Sequence, residues 1–453
     1  MPEVLPIAPY TAPLADPEVT LPGSKSLTNR ALILAAMGEG ETALSGALFS
    51  RDTRLMLAAL KALGFSAAAD EPAREIRLAG GGGSIPAASA DLGVGNAGTV
   101  ARFLPALLAL RAGGEFRIDG DEAMRARPIA PLLQALADLG AAEADFSGEP
   151  GCYPFALRTA GYRGGEGSLD ARASSQMLSA LLMALPCARA DATTLRLTGG
   201  EVRRPFVEMT LAAMRQFGVG GVEEIEPGTF RIPGRQTYRA PGGRYRIEPD
   251  ATAASYFLAL PRAAGGALRL PGLGTEMLQG DTAFAAVIAQ AGIEITRAPG
   301  GWSAEFRGRA AAPIDADFSG FSDTFLTLAA LAPILGVPVT IRGIAHTRHQ
   351  ETDRVAGMAN ELRKLIGEDA VTEEEGALHL RPDPGELRRR AAQGLPPVET
   401  YEDHRFAMSF GILGSHDLLG NGQPWLQIKD PACCAKTFPD FFEALDSLRP
   451  RRQ

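Results

Sequence analysis

One pattern recurs along the whole chain and limits what it can fold into. An amphipathic helical segment ending in an apolar residue and a glycine appears as LKALG at Gly64, LADLG at Gly140, MRQFG at Gly218, IAQAG at Gly292 and RKLIG at Gly367. These glycines are separated by 76, 78, 74 and 75 residues, and one more interval lands near EALDSL at 444–449. Glycine suits each position because the residue just past a helix C-terminus favours the left-handed conformation. A second helix precedes each of these with the same period, its starts marked at Ser26, Gly98, Ser175, Asp250, Asp323 and His404. Strand-like segments bounded by glycine or proline lie between, among them EFRIDG (115–120), TTLRLTG (193–199) and PVTIRGI (338–344). Six units of this length account for the 453 residues. The period is too long for a solenoid repeat, and each unit is too small to hide two helices alone. Two globular domains of three units are the economical solution. Three units end near residue 245, where RAPGGRYRIEP (239–249) forms a natural hinge.

Composition excludes several classes of protein. With 45 Lys+Arg against 53 Asp+Glu the net charge is −8, opposite in sign to a nucleic-acid or membrane-surface binder. Hydrophobic residues at 45% and charged residues at 22% fit a folded α/β protein rather than a disordered or integral membrane one. The apolar run from Leu326 to Val339 is too short, and too broken by Pro333 and Pro338, to span a bilayer. The opening MPEVLPIAPY has neither the basic region nor the apolar core of a signal peptide. Cys152, Cys187, Cys433 and Cys434 show no metal spacing, and the adjacent pair is a poor disulfide, so a reducing, cytoplasmic setting is expected.

The chemistry lies at the helix starts. Lys25 and Arg30 flank the first, Arg102 follows Asn96-Ala97-Gly98, Arg127 precedes Pro128, and Arg203-Arg204 precede Pro205. Arg354 follows Glu351-Thr352-Asp353, His404-Arg405 follow Asp403, and Lys436 precedes Thr437. A helix N-terminus carries partial positive charge, so cations there are disfavoured by about 0.3 kcal/mol or more. Their repetition in unit after unit calls for a compensating anion, and phosphate or carboxylate groups of a small ligand fit. Three acids stand among the cations: Asp323, Glu351 and Asp403. An acid beside arginine stays ionised and is a candidate proton acceptor, although Asp323 and Asp403 have the alternative of capping a helix. Competing signals are weak. GGGG (80–83) lacks the context of a nucleotide loop, His346 and His349 form HxxH without a third ligand, and Cys433 lies near Lys436.

The same residues resemble a known family. LPGSKSLTNRALILAA (21–36), GNAGTVARFLPAL (95–107), RPIAPLLQALADLGA (127–141) and SSQMLSALLMALP (174–186) are similar to motifs of the 5-enolpyruvylshikimate-3-phosphate (EPSP) synthases. So are DATAASYFLA (250–259), SDTFLTLAALA (322–332), ETDRVAGMANELRKL (351–365), YEDHRFAMSF (401–410) and AKTFPDFFEAL (435–445), in order along nearly the whole chain. The resemblance implies an α/β fold of two domains, each of three βαβαββ units in an inside-out α/β barrel, with helix N-termini facing an interdomain cleft. It assigns residues 24–247 to the domain that mainly binds shikimate 3-phosphate. Residues 1–23 with 248–453 form the domain of the phosphoenolpyruvate side and the catalytic acids.

The implied reaction transfers the enolpyruvyl group of phosphoenolpyruvate to the 5-hydroxyl of shikimate 3-phosphate and releases phosphate, a step toward chorismate and the aromatic amino acids. By the same resemblance shikimate 3-phosphate lies against Lys25, Ser26, Arg30, Ser174, Ser175, Gln176, Arg203, Asp323 and Gln350. Phosphoenolpyruvate lies against Lys25, Asn96, Gly98, Arg127, Gln176, Arg354, His404, Arg405 and Lys436. Asp323 accepts the hydroxyl proton, while Glu351 with Lys25 serves the methylene carbon. No metal or organic cofactor is implied, the partners are the two small substrates alone, and a monomer is expected. Gly98 is unsubstituted, which implies ordinary glyphosate inhibition. The chain departs from the family pattern at Arg203-Arg204-Pro205-Phe206 in place of Ser-Lys-Pro-Tyr, at His346 in place of asparagine, and at Gln350 in place of lysine. Losing that lysine's charge would cost about 2–5 kcal/mol unless His349 compensates. The alternatives are a related enolpyruvyl transferase with another acceptor and a degenerate anion-binding paralogue.

Overall fold

The computed structural model describes residues 2–170, 172, 174–200, 204–308 and 310–449. Contacts divide the chain into two compact units, Gly23–Glu248 and Met1–Pro22 with Pro249–Gln453.

The unit Gly23–Glu248 carries three four-stranded sheets of one design: a parallel pair, then two antiparallel neighbours. Their strand orders are Arg244–Arg246, Glu39–Ser45, Glu75–Gly81, Ala67–Asp70; Ser89–Gly95, Ala112–Gly120, Phe155–Ala160, Ala142–Phe146; and Gly165–Asp170, Ala192–Thr198, Thr229–Pro233, Glu223–Glu226. In the other unit the same design is built by Leu14–Glu18, Gly266–Pro271, Gly301–Phe306, Ile293–Ala298 and by Ile314–Asp317, Val339–Arg342, Ala377–Leu380, Val371–Glu374.

The sixth repeat is reduced. Val4–Pro6 pairs antiparallel with Gln427–Lys429, and Val398 adds a single parallel bridge to Ile428. The sheets do not join into one closed barrel among the described residues. Connectivity explains the two crossovers. The strand Leu14–Glu18, which precedes the first helix, pairs with Gly266–Pro271 in the other unit's first sheet. The strand Arg244–Arg246, at the far end of Gly23–Glu248, returns to complete that unit's own first sheet.

The two helices of each repeat differ in burial. Those that open a repeat are mostly apolar on every side, and burial is complete from Leu27 to Met37, Thr99 to Leu108, Met177 to Ala184 and His404 to Gly414. A helix apolar on every side is stable only with packing on every side. Their partners are striped: in Arg51–Ala62 the side chains Met56, Leu57 and Leu60 are buried while Arg51, Arg54 and Lys61 stay outside. The glycines ending the striped helices sit at φ 88° (Gly64), 61° (Gly140), 82° (Gly218), 87° (Gly292) and 94° (Gly367), so the periodic signal in the sequence is a backbone requirement repeated five times.

Gly218→Ala should expose that requirement alone, because the added Cβ would lie 3.6 Å from its nearest neighbour, the Arg239 carbonyl oxygen. The expected loss is about 1–2 kcal/mol, or about 2–4 °C in thermal midpoint per kcal/mol. Gly64→Ala adds a 3.0 Å contact with Pro86 Cβ and should lose more. Equal losses would show that Pro86 yields without cost.

Candidate active site

In Gly23–Glu248 the starts of three buried helices are tied together from within. Asn29 Nδ2 donates to Thr99 Oγ1 at 2.6 Å, and Arg30 reaches Thr210 Oγ1 at 2.8 Å, Ser179 Oγ at 3.2 Å and the Ser26 carbonyl at 3.1 Å. Arg30 is only 1% exposed and stacks over Phe103, with 5.4 Å to the ring centroid. Burial pushes its guanidinium down to about 10. It therefore supports the Ser26 backbone from behind and presents none of its charge outward. Arg102 departs in the same way. It is buried, its Nη2 donates to the Pro128 carbonyl at 3.3 Å, and burial lowers it to about 10. Lys25 is ion-paired at 3.3 Å with Asp52, a buried carboxylate in the first turn of Arg51–Ala62 that sequence reasoning missed.

Four of the expected residues converge beside these starts. Arg127 Nη1 donates to Asn96 Oδ1 at 3.4 Å. A Cβ on Gly98 would stand 3.0 Å from Gln176 Oε1 and 3.5 Å from Arg127 Nη2, so Gly98 leaves the gap they share. Ser174 caps the helix Ser175–Ala184 by accepting from the Gln176 amide at 3.2 Å. Gln176 Oε1 is buried without a hydrogen-bond partner among the described residues, and a buried acceptor left unpaired costs about 1–3 kcal/mol. Arg203 lies outside the described residues. Arg204 pairs with Glu224 at the exposed surface.

The other unit builds a charge cluster around Arg354, which is 1% exposed at the start of the helix Arg354–Ile366. Its Nε donates to Asp403 Oδ2 at 2.6 Å, Nη1 to Asp323 Oδ1 at 3.0 Å and Nη2 to Glu351 Oε2 at 2.9 Å; Nη1 also donates to Gln350 Oε1. Arg405 Nη2 holds the other Asp323 oxygen at 2.6 Å and its Nη1 lies 3.4 Å from the Tyr256 hydroxyl. Lys436 Nζ holds the other Glu351 oxygen at 3.0 Å. Burial alone would lower Arg354, but Asp403, Glu351 and Asp323 outweigh it and hold its pKa above the usual range. Arg405 is raised in the same balance, chiefly by Asp323.

Asp403 is a helix cap as well as an ion-pair partner, accepting from the Arg405 amide at 2.9 Å. His404 is fully buried, with Nδ1 3.4 Å from Asp403 Oδ1. His346 Nε2 lies 2.8 Å from the Ser322 hydroxyl beside Asp323. Among the described residues no three His, Cys, Asp or Glu side chains form a group able to hold a metal. Cys433 and Cys434 are free thiols.

The expectation that an external anion must balance these cations is thus corrected in part. Arg354, Arg405 and Lys436 are balanced by Asp323, Glu351 and Asp403, and Lys25 by Asp52. An incoming phosphate or carboxylate would replace anions already present.

One further acid escaped the sequence reading. Asp281 is buried in the 3-10 helix Gly280–Ala283 and accepts from Thr252 Oγ1 at 3.0 Å. Burial first, and then the nearby Asp323 charge, push it up from 3.8 to about 7. The unfolded chain releases this proton near pH 4 and the folded chain near pH 7, so the unfolded state binds fewer protons between them and stability falls as pH rises. Asp281→Asn should therefore gain thermal midpoint relative to the parent at pH 8, with a smaller gain at pH 5. An equal difference at both pH values would show that Asp281 ionises normally.

Comparison with known proteins follows the motifs from end to end. A model of the family EPSP synthase (3-phosphoshikimate 1-carboxyvinyltransferase) matches residues 13–445. The chain is 51% identical to the 3-phosphoshikimate 1-carboxyvinyltransferase of Opitutus terrae, covering 100% of this chain and 99% of that one. It is 41% identical to the Nostoc punctiforme protein of the same name, over 94% and 95%. An EPSP synthase structure from Acinetobacter baumannii superposes with a TM-score of 0.77 at 23% identity, covering 99% and 98%. The enolpyruvyl transferase NikO from Streptomyces tendae shares the fold with a TM-score of 0.69 at 16% identity, over 98% and 97%. The chain belongs to the EPSP synthase family.

Proposed function

We infer that this chain is a 3-phosphoshikimate 1-carboxyvinyltransferase. It joins the enolpyruvyl group of phosphoenolpyruvate to the 5-hydroxyl of shikimate 3-phosphate and releases phosphate, in the route to chorismate and the aromatic amino acids. The observation that carries this reading is the cluster in which Asp323 and Glu351 are each gripped by two cations meeting at Arg354.

The proposed mechanism starts from that cluster. The phosphate and carboxylate of phosphoenolpyruvate take over Arg354, Arg405 and Lys436, joined by Asn96, Gly98 and Arg127. Asp323 and Glu351 lose their ion pairs and become more basic, because an opposite charge nearby is what favours the ionised form. Asp323 then accepts the 5-hydroxyl proton as the oxygen attacks C2 of the enol. The methylene carbon receives a proton through Glu351 and Lys25, giving a tetrahedral intermediate. Loss of that carbon's proton and departure of phosphate restore the enol ether, and the cations stabilise charge as it develops on phosphate.

We assign shikimate 3-phosphate to Lys25, Ser26, Ser174, Ser175, Gln176 and Arg203, with Arg30 holding Ser26 in place. The Gln176 carbonyl, buried without a partner among the described residues, supports this, since a substrate hydroxyl would be a donor for it. Asp323 and Gln350 complete the acceptor side, and His404 stands with Arg405 on the phosphoenolpyruvate side. No helix among the described residues is long and apolar enough to cross a membrane, and we read the enzyme as a cytoplasmic monomer acting on small molecules.

Phosphate release from phosphoenolpyruvate tests the reading, with shikimate 3-phosphate as acceptor and UDP-N-acetylglucosamine as control. Release only with shikimate 3-phosphate is expected. Silence with both ligands bound would point to another acceptor. Gln350→Lys restores a positive charge but cannot accept from Arg354. Phosphate release is expected to hold or rise in this variant. Its abolition would show that the Gln350–Arg354 hydrogen bond has taken over what the missing lysine does.

A further inference from the structure

The segment that carries Asp403, His404 and Arg405 arrives through a turn that the backbone disfavours. Tyr401 and Glu402 stand at φ 55° and 57°, in the left-handed region that bulky side chains avoid unless surrounding contacts hold them there. Those contacts converge on Glu361, a fully buried carboxylate in the helix Arg354–Ile366, two turns beyond Arg354. Its Oε1 accepts from the Tyr401 hydroxyl at 2.7 Å and its Oε2 from the Glu399 amide at 3.1 Å. Lys364 Nζ bridges both oxygens at 2.8 and 2.7 Å and supplies the opposite charge.

The Tyr401 ring meets Phe406 edge-on, with centroids 5.3 Å apart. Gly357 leaves room for both, since a Cβ there would stand 2.9 Å from Phe406 Cζ and 3.2 Å from Tyr401 Cε2. Beyond the turn, Asp403 donates its amide to the Thr400 carbonyl at 2.9 Å and takes Arg354 Nε at 2.6 Å. Residues seven apart lie on one face of a helix. One helix therefore grips the 399–405 segment at two points, by Arg354 on Asp403 and by Glu361 on Tyr401 and Glu399.

We propose that Glu361 is a positioning residue for the reaction: by holding Tyr401 and the Glu399 amide it sets the left-handed pair, and so fixes where Asp403 and Arg405 stand against Arg354 and Asp323. The proposal rests on the functional reading above. It explains why a carboxylate occupies a buried site remote from the reacting groups. A glutamine offers one accepting oxygen where Glu361 uses two, and it has no charge for Lys364. Burial and the bond to Glu361 push the Tyr401 phenol above its usual range, so it remains a donor.

The test compares the full-length parent with Tyr401→Phe, Glu361→Gln and the double variant. Tyr401→Phe removes one oxygen from a ring that is 37% exposed, so the protein should fold. The KM for phosphoenolpyruvate is expected to rise about tenfold in each variant, the effect of losing one hydrogen bond to a charged group. The KM for shikimate 3-phosphate should stay within about twofold. The double variant should lose no more than the worse single one, because both substitutions act through the same turn. Amide hydrogen exchange at 403–406 should quicken in each variant. An unchanged phosphoenolpyruvate KM in folded Tyr401→Phe would overturn the proposal, as would additive losses or unaltered exchange. A parent enzyme that releases no phosphate would instead count against the functional reading, and hydrogen exchange would still report on the clamp.

Discussion

Everything in the candidate site of the second unit depends on one buried charge. The Arg354 guanidinium is out of water, and its hydrogen bonds go to four side chains from three places in the sequence: Asp323, the adjacent Gln350 and Glu351, and Asp403. A buried ion is tolerable only when its hydrogen bonds are complete, and removing one partner from such a pair costs about 3–5 kcal/mol. The arginine therefore fixes the 3-10 turn Ser322–Thr324, the segment before its own helix and the start of His404–Gly414 relative to one another. Lys436 joins through Glu351. Pre-organisation and stability have the same source here. Any ligand that drew Arg354 toward itself would have to offer acceptors as good as the carboxylates it displaces.

That balance changes the meaning of cations at helix starts. From sequence, a lysine or arginine at a positive helix end demands an anion, and a ligand is the natural candidate. The fold supplies many of those anions itself, Asp52 for Lys25 and three carboxylates for Arg354, Arg405 and Lys436. Three cations with three carboxylates are near neutral, and such a group would take up an anion only by exchange. Exchange favours a ligand of matching shape over any small anion, because every carboxylate released must be replaced bond for bond.

What the sequence made legible was what repeats or what is local. The five helix-ending glycines announce themselves because each satisfies the same positive φ, and the motifs around Lys25, Gly98, Ser175, Asp323, Glu351 and His404 mark helix starts that the structure forms. What it hid was set by contacts distant along the chain. Nothing near Arg30 reveals that Thr210, 180 residues away, will take its Nε and draw it inside. Arg102 looks like its neighbour Arg127 in sequence, yet one is sealed in the interior and the other borders Gly98. Asp281 carries no periodic signal, and the reduced sheet of the sixth repeat takes its strand Val4–Pro6 from the opposite end of the chain, which no local pattern announces. Glu361 and Tyr401 are 40 residues apart and sit in segments whose apolar patterns are unremarkable.

The buried helices also explain why polar chemistry gathers where it does. A helix packed on every side has no exposed stripe, so polar side chains along its body must be satisfied by other protein groups, as Asn29, Arg30 and Ser179 are. Only its ends leave backbone groups without helical partners. At the N-terminal end several amides lack helical partners and carry partial positive charge. A fold of repeated units with buried first helices therefore presents a set of N-termini, and each can be furnished differently at no cost to the core. In Gly23–Glu248 they carry Ser174, Gln176 and Asn96 together with Lys25, which is paired with Asp52, and Arg127. In the other unit they carry Arg354, Arg405 and the carboxylates between them. The two units differ in what they gather at those starts because each buried helix keeps there polar groups that other parts of the protein satisfy.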